Sequence, residues 1–275
     1  RIVYSRIEEA KDIQEILHPA VKAVLEFFKV EKGLSIHHDG DLPARTGLGS
    51  SSAFTVGLLH ALHALQQQDI SKKELAQEAV HLEQDILKEN VGSQDQVAVT
   101  YGGVNKITFS QNGEFTVDPI QVSKETVKEL EASLRLYFTG FSRTASEVAK
   151  TQIDNIQHRR SELMRMHSMV DEGVRMLRED KGLEEFGRLL DETWQLKKSL
   201  SDKITTPEVD AMYEKARKSG ALGGKLLGAG GGGFLLLLIS PEKQQAVREA
   251  LQGLLEVQFS FEHTGSQIIY KNHKV

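Results

Sequence analysis

The sequence has no cysteine, one tryptophan and five prolines among 275 residues. The missing thiols rule out disulfides and thiolate-held metals, so any metal must rest on oxygen or imidazole ligands. Aromatic residues make up only 6%, which leaves aliphatic side chains to build most of the core. No stretch approaches the roughly 18 successive apolar residues of a membrane-crossing helix. The plainest apolar run, Phe234–Ile239, has the length of a buried strand. An excess of positive charge is lacking too. The 34 Lys and Arg against 39 Asp and Glu give a formal charge of −5, which argues against nucleic acid as the main partner. Internal repeats and low-complexity linkers are absent. What remains, 39% hydrophobic and 27% charged residues, is the composition of a soluble globular chain with no membrane partner and, by default, a cytoplasmic location.

Periodicity divides the chain into mixed elements. A strand is expected at Arg1–Ser5, a helix at His18–Phe28 with Pro19 in its tolerated first turn, and a strand at Leu34–His38. The Ser50–Leu65 stretch reads as a helix whose apolar residues Phe54, Leu58, Leu59, Leu62 and Leu65 spread around it, the pattern of a buried helix. Ser71 and Glu74 form a capping box that opens a helix to about Lys88, and Asp95–Thr100 reads as a short helical piece. Gly103–Phe109 and Phe115–Pro119 flank Gln111-Asn112-Gly113, a hairpin signal. Further on come a strand at Leu134–Thr139 and helices at Ala145–Glu179, Leu183–Leu200 and Pro207–Ser219. Strands at Leu222–Leu227 and Phe234–Ile239, a helix at Pro241–Gln252, and strands at Val257–Glu262 and Ser266–Tyr270 complete the chain. The class is α+β. The shift towards long helices near residue 140 divides it into 1–140 and 141–275.

Two glycine-rich stretches carry the chemistry. Pro43-Ala44-Arg45-Thr46-Gly47-Leu48-Gly49-Ser50-Ser51-Ser52-Ala53 runs straight into the 50–65 helix. Gly47 and Gly49 let backbone approach a ligand closely, and three serines place hydroxyls beside the free N–H groups of a first helical turn. Such a helix start binds phosphate; an ordinary N-capped turn is the alternative. Gly228–Gly233 formally matches G-x-G-x-x-G, but a strand follows it where a dinucleotide site has a helix. Ordering so many glycines costs backbone entropy. That cost points to close approach to a ligand or to the first glycine loop, with a flexible hairpin as the alternative.

Three ordered stretches resemble the signatures of the GHMP small-molecule kinases. They are Pro43–Ala53; Glu83-Gln84-Asp85 with Val91-Gly92-Ser93-Gln94-Asp95-Gln96; and Lys225-Leu226-Leu227-Gly228-Ala229-Gly230-Gly231-Gly232-Gly233-Phe234. Ile36–Arg45, Tyr101-Gly102-Gly103 and Phe138–Ser146 are most similar to the heptose-phosphate branch of that family, and fucokinase-like members share parts of them. The family's first signature, a strand with a basic residue and a glycine-rich turn, has no counterpart, and the text reads as though several dozen residues preceded Arg1. The resemblance implies two α/β lobes, the first like domain 2 of ribosomal protein S5 and the second ferredoxin-like. It also implies ATP and Mg²⁺ as cofactors and a small-molecule sugar phosphate, D-glycero-D-manno-heptose 7-phosphate, phosphorylated at its C1 hydroxyl. A fucokinase-like enzyme acting on a free sugar and a non-catalytic nucleotide- or sugar-binding protein are the alternatives.

By the same resemblance Gly47, Leu48, Gly49, Ser50, Ser51, Ser52, Gly228, Gly230 and Gly231 hold the nucleotide, and Ser51 and Glu83 hold the metal. One carboxylate and one hydroxyl suit a hard cation that keeps several waters, although a Glu on a helix is more often simply solvated. Asp95 is the expected catalytic base, a loop carboxylate able to take the acceptor's proton; it would also serve as an N-cap. Arg143 and Ser146, at a strand-to-helix junction, and Asp41 are expected at the sugar phosphate, Arg being suited to bidentate bonding. Arg45 is a second candidate cation. Surface ion pairs for the arginines and a turn role for Asp41 remain open. The histidine pairs His37-His38 and His60/His63 read as structural.

Overall fold

The computed structural model describes residues 1–30, 33–42, 46–140, 145–179 and 182–271. Contacts group them into two compact units, 1–44 with 49–103 and 262–275, and 45–48 with 104–261. Residue 140, where the long helices take over, lies inside the second unit.

In the first unit β1 (Ile2–Val3) is flanked by β2 (Ile7–Glu8), antiparallel, and β3 (Ile36–His37), parallel. Between β2 and β3 lies α1 (Pro19–Phe27), capped by His18. Then come α2 (Ser50–Leu65), α3 (Lys72–His81) and α4 (Gln94–Tyr101). Val21, Val24, Val56, Leu59, Leu62, Leu75 and Leu82 bury together, each aliphatic contributing about 1.5–3 kcal/mol. The capping box of α3 is present: Glu74 N donates to Ser71 Oγ at 3.2 Å and Ser71 N donates to Glu74 Oε2 at 3.0 Å. The helix does not continue as α to Lys88. At Leu82–Ile86 it widens into a π turn, closed by Leu87 N–H donating to Leu82 O at 2.9 Å. Such turns accompany functional sites.

The second unit opens with the expected hairpin, β4 (Asn105–Phe109) and β5 (Phe115–Pro119), turning through Gly113 at φ +84°. Next comes α5 (Lys124–Ser133), which the sequence reading passed over, because its apolar stripe is short and only Ser123 caps it. It leads into β6 (Leu134–Phe138). The single helix expected over 145–179 is two, α6 (Ala145–Asn155) and α7 (Arg160–Glu179), separated by a 3₁₀ turn at Ile156–Arg159. The remaining elements are α8 (Leu183–Ser199), α9 (Pro207–Lys218), β7 (Ala221–Leu226), β8 (Phe234–Ile239), α10 (Gln244–Ala250) and β9 (Leu255–Val257). The four strands form an antiparallel sheet in the order β7-β8-β6-β9.

Central β8 is buried on both faces, hence its unbroken apolar run. Leu235, Leu237 and Ile239 pack with Trp194, Val209 and Tyr213, while Leu238 and Leu236 pack with Leu130, Leu177 and Phe186. The strand expected at Ser266–Tyr270 does not form. Its backbone meets a helix end, Ser266 N donating to Thr100 O at 3.4 Å, and Ile269 and Tyr270 are 95% and 80% exposed. No described helix is long and apolar enough to cross a membrane.

Candidate active site

In the first unit, α2 begins at Gly49, whose left-handed backbone (φ +70°) supplies no capping side chain. The first bond of the helix is Ala53 N to Gly49 O at 2.9 Å, so the amides of Ser50, Ser51 and Ser52 are left outside the intrahelical ladder. A Ser or Asp at the cap would bond them; glycine leaves them for an anion, which the positive helix end favours. Ser51 is exposed and Ser52 is buried.

Asp95 lies against this helix start. A Cβ on Gly49 would stand 3.2 Å from Asp95 Cγ and 3.3 Å from its Oδ2. Asp95 is neither a loop residue nor a cap. It is the second residue of α4, whose N-cap is Ser93, and it is exposed. Its neighbour Gln96 turns inward and donates from Nε2 to Glu83 Oε2.

Glu83 sits in the π turn, 1% exposed. Besides Gln96, its Oε2 accepts from Ser52 Oγ at 2.9 Å, whereas Oε1 has no hydrogen-bond partner. Burial pushes the Glu83 carboxyl above its ordinary 4.5, against the opposing bonds from Ser52 and Gln96. The Thr55 hydroxyl stands close enough to lower it as well, without meeting hydrogen-bond geometry. The serine that reaches Glu83 is therefore Ser52, and Ser51 faces outward in the same turn. A buried carboxylate with an unpartnered oxygen, beside hydroxyl oxygens and no nitrogen or sulfur ligand, fits a hard divalent cation. Among the described residues no group of three or more His, Asp or Glu could hold a metal by itself.

In the second unit the glycine run is bonded in place. A Cβ on Gly228 would stand 2.6 Å from Gly47 Cα, and one on Gly233 would stand 2.3 Å from Thr46 O. Phe234 N donates to Thr46 O at 3.2 Å and Gly231 N to Ile204 O at 2.8 Å. Thr139 Oγ1 donates to Gly233 O at 2.9 Å and accepts from Gly233 N at 3.1 Å. Lys197 Nζ donates to Gly228 O, and Gln152 Nε2 to Ala229 O at 2.8 Å. The run is thus no flexible hairpin, and the close approach it makes is to Thr46 and Gly47. Gly230 packs on Ile204, and the amide of Gly231 is committed to that residue's carbonyl.

Asp41 is exposed in the irregular stretch after β3. Arg45 and Arg143 lie outside the described residues. Ser146 falls in the first turn of α6, and its side chain likewise lies outside them. Sequence reasoning gave no role to Gln96, Ser52 at Glu83, Thr139 or Lys197. Gln96 alone left a signal: with Val97 and Thr100 it falls on the inward face of α4, where a polar residue needs a partner. His63 bonds Glu78 at 2.7 Å and Gln68 at 3.0 Å, and His60 bonds Ser266 Oγ at 2.9 Å, which are structural contacts.

Residues 15–103 match the family described as GHMP kinases N terminal domain, and residues 176–256 that described as GHMP kinases C terminal. The chain is 32% identical over 251 residues to the D-glycero-alpha-D-manno-heptose 7-phosphate kinase of Campylobacter jejuni, covering 89% of this chain and 73% of that protein. It is 30% identical over 214 residues to the bifunctional fucokinase/GDP-fucose pyrophosphorylase of Arabidopsis thaliana, covering 75% of this chain and 20% of that protein. Among solved structures, a D-glycero-D-manno-heptose 1-phosphate kinase from Bacteroides thetaiotaomicron is similar, with a TM-score of 0.67 and 26% identity over 98% of this chain and 79% of that one.

Proposed function

This chain belongs to the GHMP kinase family and is a phosphotransferase with an alcohol acceptor; from that premise we propose that it carries the γ-phosphate of ATP to the C1 hydroxyl of D-glycero-D-manno-heptose 7-phosphate. The observation that carries the reading is Asp95, an exposed carboxylate set against an uncapped helix start. The start of α2 binds phosphate oxygens through its free amides and the hydroxyls of Ser50 and Ser51. Asp95 takes the proton of the attacking hydroxyl. A bond forms from O1 to the γ-phosphorus, the bond from that phosphorus to the bridging oxygen breaks, ADP leaves, and Asp95 returns its proton to solvent. Phosphate and Asp95 both bring negative charge to one helix end. Glu83, with the Ser52 hydroxyl beside it, would hold Mg²⁺, which when bound would offset that repulsion and the charge of the transferring phosphoryl group. The bonds from Thr139 and Lys197 keep the glycine run pressed on Thr46 and Gly47, which lead into the phosphate-binding turn.

The acceptor assignment is supported by the likeness to the Campylobacter jejuni enzyme and gives Arg143 and Ser146 to the sugar phosphate. The likeness to the plant fucokinase favours a second reading, a free sugar as acceptor. ADP release with ATP and Mg²⁺ decides between them, with heptose 7-phosphate, heptose 1-phosphate, mannose 6-phosphate and L-fucose compared. Turnover should depend on heptose 7-phosphate and fall by about 10²-fold or more in Asp95→Asn with ATP still bound. Arg143→Ala should raise the KM for the phosphorylated acceptor and leave a free sugar unaffected. Preference for L-fucose would establish the second reading. Bound ATP with no acceptor turned over would refute catalysis by this chain.

A further inference from the structure

Residues 262–271 of the C-terminal segment belong to the first unit, and its start touches three helices. On α2, His60 Nδ1 shares a hydrogen bond with Ser266 Oγ at 2.9 Å. On α3, the first residue, Lys72, donates from Nζ to Thr264 O at 2.7 Å and to Tyr101 O at 2.9 Å, so one ammonium joins the segment to the end of α4. Just past α4, Gly103 N donates to Glu262 O at 2.8 Å. The backbones press together here. A Cβ on Gly265 (φ +72°) would stand 2.3 Å from Thr100 O, and one on Gly102 would stand 2.2 Å from Gly265 N. Glu262 gives the segment its shape: its carboxylate accepts from Thr264 N and Gly265 N, each at 2.6 Å, and from the Thr264 hydroxyl.

These three helices carry the proposed chemistry. α2 starts with Ser50–Ser52, α3 runs into the turn of Glu83, and α4 carries Asp95 and Gln96 in its first turn. α4 has eight residues, about 12 Å of helix. A helix that short has little stability of its own, and tertiary contacts decide where it lies. A tilt at its held end is passed along a rigid rod to Asp95.

We propose that the C-terminal segment is a positioning element of the phosphoryl-transfer site, and that Lys72 is its central positioning residue. By tying the end of α4 to α2 and α3, it fixes where the first turn of α4 presents Asp95 to the acceptor and Gln96 to Glu83. The inference rests on the kinase reading. Misplacement by about 1 Å is enough to cost up to 10²-fold in rate without loosening the nucleotide.

The test compares Lys72→Met, Lys72→Arg and a chain ended after Phe261, reading kcat, both KM values and hydrogen exchange of the α4 amides Val97–Gly102. Lys72→Met should lower kcat by about tenfold or more, keep KM for ATP within about twofold, and speed exchange at Val97 and Ala98. Lys72→Arg, which can still bond two carbonyls, should recover most of the rate. The shortened chain should show the same split, and if it does not fold, the two Lys72 variants carry the test. A kcat at the wild-type value in Lys72→Met, or a fall with unchanged α4 exchange, overturns the proposal. If the unaltered chain turns over no acceptor, the kinase reading fails separately. The exchange data still decide the positioning claim, because undiminished α4 protection in Lys72→Met overturns it.

Discussion

Glu83→Gln sets function against stability. Glu83 is 1% exposed, its Oε1 is unpartnered, and Thr55 Oγ1 and Gln96 Oε1 beside it are unpartnered too. In the variant the amide oxygen inherits the bonds from Ser52 and Gln96, and the new NH₂ has two oxygens to donate to. Relieving one buried, unsatisfied carboxylate oxygen is worth about 1–3 kcal/mol. At about 2–4 °C per kcal/mol for a chain near this size, the metal-free protein should melt a few degrees higher at neutral pH. The sign with pH follows from the raised pKa. The folded form holds the Glu83 proton more tightly than the unfolded form, so this group's share of stability is complete below 4.5 and is lost as the pH rises through the raised value. The advantage of the variant should therefore be widest above the raised value and shrink towards 4.5. Calorimetry in chelator across that range measures it. In the presence of Mg²⁺ and ATP the order should reverse, since only the carboxylate draws the cation. A variant that melts below the wild type in chelator near neutrality, or a gap that ignores pH, would refute the reasoning.

Two further outcomes rest on other parts of the molecule. Gly233→Ala puts a Cβ at φ +110° and 2.3 Å from Thr46 O, so urea unfolding should show a loss of more than about 2 kcal/mol; a loss under about 0.5 kcal/mol would mean the loops are not in contact. The Glu262 carboxyl, caged by the Thr264 hydroxyl and the amides of Gly265 and Thr264, should titrate at about 2 in an NMR experiment. The hydrogen bonds it makes are complete above its ordinary 4.5 and are lost as pH falls through that depressed value, so a midpoint near 4.5 would refute the cage.

Local signals were legible in the text wherever one segment decides them. The Ser71–Glu74 box, the Ser50–Leu65 helix, the Gln111–Gly113 turn and the apolar β8 each follow from neighbouring residues, and each is where the periodicity put it. Asp95 and Glu83 stood out through the resemblance of their segments to the kinase signatures, but their surroundings did not. That Ser52 meets Glu83 depends on which residue of a helical turn faces inward. That Asp95 lies on Gly49 depends on how α4 packs beside α2. The break between α6 and α7 hid within a continuous helical pattern. The missing last strand failed for a different reason: Ser266–Tyr270 has strand-like residues, but pairing needs a neighbour, and the backbone there meets helix ends.

The glycine run has a consequence for how this protein can vary. Every missense change in a glycine codon adds a Cβ, whatever base is altered. At Gly228, Gly230 and Gly233 that carbon meets main-chain atoms 2.3–2.6 Å away, and main chain cannot swing aside as a side chain can. No conservative neighbour exists for these codons to drift through, so their identity is held by geometry before any ligand selects for it.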